Sequence, residues 1–109
     1  MAPVNRQKHE TSLQSNLARR IVAAVMGLPT EPVTLSLDQI EYLNRKLSNL
    51  RHDVNNHLSL IVAAAELIRY NPTMIKRMSA TLAEQPPKIT EEINKFSSEF
   101  EKILGISRP

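Results

Sequence analysis

The sequence predicts an all-α chain, on three observations. Apolar residues recur at steps of three and four along three segments. No stretch alternates with the period of two that a half-buried strand requires. Gly27 with Pro29, Pro72 and Gly105 stand where the helical spacing stops. The architecture these segments imply is a short N-terminal helix followed by a long antiparallel helical hairpin, which dimerises into a four-helix bundle.

Residues 1–11 read as a polar tail, and residues 12–28 as a short amphipathic helix with Leu13, Leu17, Ile21, Val25 and Leu28 on one face. Residues 29–35 are the linker, since Pro29 and Pro32 cannot propagate helical hydrogen bonds. The remainder, 36–109, is the expected hairpin. Ser36-Leu37-Asp38-Gln39 spells a capping box, with Asp38 complementing the positive helix end.

From that cap the pattern runs unbroken to Tyr70 through Ile40, Leu43, Leu47, Leu50, Val54, His57, Ile61, Ala64 and Ile68. Such a heptad seam expects a partner helix. Asn71-Pro72 closes it, with Asn71 a candidate left-handed cap and Pro72 the first residue of the returning helix, which ends at Gly105. Within that helix Ile75, Met78, Leu82 and Ile89 keep one phase and Ile93, Phe96, Phe100 and Ile103 another. The change falls beside Pro86-Pro87, so a kink or a split is expected there.

Composition narrows the function. With 109 residues, 41% of them apolar, the chain has the length and balance of one soluble domain, and its two glycines do not make a phosphate-cradling loop. A chain this small buries a modest core, which favours self-association. The absence of cysteine excludes disulfides and thiolate metal sites and suits a cytoplasmic setting. No signal peptide or membrane span is expected, because the apolar stretches 21–28 and 60–65 are short. The net charge of +3 comes from residues 1–51, yet no basic run with interleaved aromatics marks a nucleic-acid platform.

Titratable and amide groups gather only in Arg51-His52-Asp53-Val54-Asn55-Asn56-His57. With Leu50 and Val54 on the seam, His52 faces solvent, Asn56 lies one turn on, and Asp53 is displaced by about 100°. An exposed imidazole beside a carboxylate and an amide suits nucleophilic phosphoryl transfer. The same spacing also describes an ordinary solvated helix surface. His57, on the seam, is expected to be a packed residue with a hydrogen-bond partner. It cannot form a metal pair with His52, because five residues turn the helix by about 140°. No metal site is expected. Arg51, with Asn55, is the expected contact for an incoming partner. Arg19 and Arg20 beside Leu17 and Ile21 permit membrane-surface docking, although packing of that face on the bundle is the favoured reading.

The run Leu50-Arg51-His52-Asp53-Val54-Asn55-Asn56-His57-Leu58-Ser59-Leu60-Ile61 resembles the phosphoacceptor box of the dimerisation and histidine-phosphotransfer domain of bacterial sensor histidine kinases. It is especially similar to the sporulation-type phosphotransferase subgroup. The strict match covers about twelve residues, and the hairpin extends it to 36–104. The resemblance implies that His52 carries the phosphoryl group, that Asp53 is its acid/base partner, and that Asn56 positions water during dephosphorylation of a receiver. It further implies a homodimer and a response-regulator receiver as partner, with magnesium on the receiver and no cofactor on this chain. A separate histidine kinase or ATP-binding domain would supply phosphate. His57 stands where many relatives have proline, so a straighter helix is expected. The competing expectation is a helical dimerisation or scaffold module, kinase inhibitors included, without phosphoryl transfer.

Overall fold

A computed structural model of the chain describes the backbone of residues 2–107 and the side chains of residues 14–107. Helix α1 spans Ala2–Val25, α2 Leu37–Tyr70 and α3 Ile75–Leu104, with a 3-10 turn at Pro72–Met74. No strand occurs among the described residues. Two compact units divide the chain, one made of residues 36–100 and the other of residues 1–35 with 101–109.

In the first unit the capping box opens α2. The Gln39 amide donates to Ser36 Oγ at 3.1 Å and the Ser36 amide donates to Gln39 Oε1 at 2.9 Å. The other end departs from the expectation. Asn71 closes α2 with its amide on the Leu67 carbonyl at 2.9 Å, but its φ of −139° is not left-handed. A left-handed cap is unnecessary because Pro72–Met74 turns at once, held by the Met74 amide on the Asn71 carbonyl. The returning α-helix therefore starts at Ile75 rather than at Pro72.

Of the kink or split expected at Pro86-Pro87, with the kinked helix preferred, the split does not occur, since α3 continues through both prolines. Each proline removes one backbone donor, yet both are exposed, so water can take up the hydrogen bonding that the helix forgoes. Two side-chain bonds join α3 to α2 in this unit. Tyr42 Oη donates to Glu99 Oε2 at 3.0 Å, and His57 Nδ1 meets Gln85 Oε1 at 2.7 Å. The earlier residue of α2 pairs with the later residue of α3.

Only Ala64 (2% exposed) and Gln85 (3%) are buried among the described residues. The α2 seam is otherwise half-covered at Leu43, Leu50, Val54, His57, Ile61 and Ile68, and exposed at Ile40 and Leu47.

In the second unit α1 begins at Ala2, well ahead of the start that apolar spacing gives near residue 12. The segment read as a tail is polar but rich in helix formers, Arg6, Gln7, Lys8 and Glu10 among them, and Pro3 sits in the first turn where a missing amide costs nothing. Gly27, with φ +77°, ends the helix as expected. Its amide bonds the Ala24 carbonyl and the Leu28 amide bonds the Ala23 carbonyl, the paired closure that a left-handed residue permits. Gly105 (φ +71°) ends α3 likewise, with the Ile106 amide on the Glu101 carbonyl. The Ser107 amide then donates to the Gly27 carbonyl at 2.8 Å.

Candidate functional site

Helix α2 carries the whole 50–61 box on continuous α-helix, so the angular positions of its side chains follow from the 3.6-residue repeat. His52 is exposed, and Asn56, one turn on, brings its amide Nδ2 to 3.3 Å from His52 Nε2. An amide nitrogen donates and cannot accept, so Nε2 receives the hydrogen bond and the neutral ring carries its proton on Nδ1. The unprotonated ring nitrogen is therefore the one that faces Asn56, its electron pair engaged by that amide.

Asp53 stands apart from that pair. It is half-buried and lines a groove of about 500 Å³ between α2 and α3, with Lys46 and Leu50 on one wall and Glu92, Lys95 and Phe96 on the other. No hydrogen bond or ion pair joins it to His52 among the described residues. Lys95 is the cation of the opposite wall, which also carries Glu92 and Glu99. It lies 3.5 Å from both Glu91 and Glu92, which hold its ammonium above the ordinary lysine range. At the mouth of the groove the Glu99 carboxylate, by accepting from Tyr42, raises the phenol above its usual value, and partial burial adds to the effect.

Arg51 and Asn55 are both exposed. Asn55 edges a shallow hollow with Leu58, Ser59, Val62 and Glu66, and its carbonyl accepts from Ser59 Oγ at 2.9 Å. His57 is turned to the α3 side, where its Nδ1–H donates to Gln85. No three His, Asp or Glu side chains gather in a metal-binding group among the described residues. No helix among them is long and apolar enough to cross a membrane.

Gln85 is the residue that sequence reasoning missed. A signal was present, because the seam Met78, Leu82, Ile89 leaves a seven-residue gap whose midpoint in heptad spacing is position 85. A polar residue there, facing a seam histidine, marks a buried hydrogen bond.

Compared with family models, curated proteins and solved structures, the chain matches none.

Proposed function

We propose that residues 36–104 are a phosphotransfer hairpin of a two-component relay, paired with a second copy in a four-helix bundle. In this reading His52 accepts a phosphoryl group and exchanges it with a receiver aspartate. The observation that carries it is the exposed His52 with Nε2 facing the Asn56 amide at 3.3 Å, inside a twelve-residue phosphoacceptor-like box.

The chemistry is a displacement at phosphorus. Nε2 attacks the receiver's acyl phosphate, the P–N bond forms as the P–O bond to the aspartyl carboxylate breaks, and the carboxylate leaves on the receiver. Return transfer reverses these bonds. The receiver supplies the magnesium that neutralises the phosphoryl oxygens. Asn56 releases Nε2 at the moment of attack and stays one turn away, where its amide can hold a phosphoryl oxygen or a water. Asp53, facing the groove, exchanges protons with the ring through water rather than by direct contact.

Two features support the hairpin and its pairing. The Tyr42–Glu99 and His57–Gln85 bonds run in opposite order along α2 and α3, as antiparallel helices require. At about 100° per residue, Leu47, Leu58 and Val62 of α2 and Ile75, Ile93 and Phe100 of α3 lie to the same side of this helix pair, and all six are exposed. A second copy laid on that side would complete the core that Ala64 alone begins. His52 lies about 120° around α2 from Leu58, so the pairing leaves its ring open to a receiver.

A non-catalytic dimerisation or scaffold module is the second reading, favoured by the separation of Asp53 from His52. The two divide on one experiment. The purified chain and its His52→Ala variant are mixed with phosphorylated receivers, acid-labile phosphate is followed, and both are sized for dimers. Label on the parent and none on the variant is expected. Unlabelled proteins that both remain dimers would establish the scaffold.

A further inference from the structure

The C-terminal half of α1 presents a broad apolar arc that nothing in its unit covers. Leu17, Ile21, Val22 and Val25 are 57–75% exposed, and Met26 and Leu28 follow at 56% and 40%. With Ala18 and Ala24 between them, these helical residues span about 160° of the helix circumference. That is wider than the seam of a two-stranded coiled coil, which uses only two positions in seven.

Charge is distributed with the same order. Arg20 borders one edge of the arc and Arg19 the other, and no Asp or Glu occurs from Thr11 to Thr30. Arg20 reaches Glu31 at 3.3 Å, but both side chains are more than half exposed, so this pair is weak and exchangeable. Beside Arg19, the side chains of Ser15, Ala18, Val22 and Leu28 line an apolar groove of about 370 Å³. A second copy of α1 is a poor occupant. Symmetric pairing through this arc would bring arginine edges together with no acidic residue to offset them.

We infer that α1 docks on an anionic lipid surface, its apolar arc entering the acyl boundary and Arg19 and Arg20 meeting headgroup phosphates. The lipid is favoured over an acidic protein because the arc is broad and flanked by cations on both sides, as a planar interface requires. Arginine stems extend along the apolar edge and leave the guanidinium at headgroup level. The inference does not depend on phosphoryl transfer at His52.

The test is co-sedimentation of the full chain with vesicles of equimolar phosphatidylglycerol and phosphatidylcholine, against vesicles of phosphatidylcholine alone. Binding to the anionic vesicles, weakening with salt, is expected. Replacing both arginines (Arg19→Gln with Arg20→Gln) should lower the partition coefficient about thirtyfold, near fivefold per basic residue at an anionic surface. Ile21→Ser with Val25→Ser should lower it at least tenfold, with helix content unchanged by circular dichroism because both side chains are exposed. Absence of vesicle binding at low salt overturns the inference in favour of a protein partner. So does binding that the serine variant retains in full, which would be adsorption of charge alone. A serine variant that loses a self-associated state without changing vesicle binding overturns it as well.

Discussion

The two units are held by different parts of the chain. The unit of residues 36–100 is joined by side chains, Tyr42 to Glu99 and His57 to Gln85, and contains both of the residues that are buried among the described ones. In the unit built on α1 the main chain supplies the two glycine caps and the bond from the Ser107 amide to the Gly27 carbonyl, beside the exposed side-chain pair of Arg20 and Glu31. Side-chain truncation should therefore damage the first and backbone restriction the second. The described contacts of that unit do not use the apolar arc of α1.

Gly27→Ala is the harshest way to break the backbone side of this comparison. A Cβ there would fall 1.5 Å from the Ser107 carbonyl oxygen, at a φ that L residues rarely adopt. Gly105 shares the conformation but has nothing within 4 Å of the added atom. Gly105→Ala should cost roughly 1–2 kcal/mol in strain alone. Gly27→Ala should cost roughly 2–3 kcal/mol, because the docked segment 105–107 must also leave and surrender its hydrogen bond. Urea unfolding of both variants, with exchange of the Ser107 amide, measures the difference. Equal losses would mean that the Gly27–Ser107 contact contributes nothing.

The side-chain unit is tested most directly at Gln85. Gln85→Leu keeps the volume and strands the half-buried His57 Nδ1–H, at a cost of about 1–3 kcal/mol. The double variant Gln85→Leu with His57→Leu removes both polar partners and should recover most of that loss. Additive losses in the cycle would show that the 2.7 Å bond carries no coupling energy and that packing alone joins the helices here. Neither variant touches the His52–Asn56 pair on the opposite side of α2, so phosphoryl transfer is a separate readout.

How much of this was legible beforehand follows the same division. The positions of both ends of α2 were readable because the signals are local, Ser36 and Gln39 three residues apart and Asn71 before a proline, although the left-handed cap expected at Asn71 does not form. The angular relation of His52, Asp53 and Asn56 was readable too, being fixed by helical repeat within four residues. The start of α1 was not, because residues 2–11 favour helix without an apolar face, and periodicity is silent where no apolar spacing repeats. The partners of His57 and Tyr42 depend on the register between two helices, which no local signal specifies. The continuity of α3 through two prolines ran against a local rule, and Gln85, buried immediately before them, lies where that rule diverted attention.

The smallest expected effect is at Tyr42, and it sharpens the comparison through pH. The Glu99 carboxylate holds the phenol protonated above its usual pKa, with partial burial acting in the same direction. A folded-state pKa raised above the unfolded one means that the contribution is fully present below the unfolded value. It is lost as pH climbs from there through the folded value, because the unfolded chain releases its proton first. The unit of residues 36–100 should thus lose a small increment of stability only in the alkaline range above the ordinary tyrosine pKa of about 10. Tyr42→Phe should remove that increment at neutral pH and flatten the alkaline slope. Unfolding curves across that range check this. An unchanged slope in Tyr42→Phe would mean that the bond to Glu99 does not survive in solution and that the α2–α3 contact rests on His57 and Gln85.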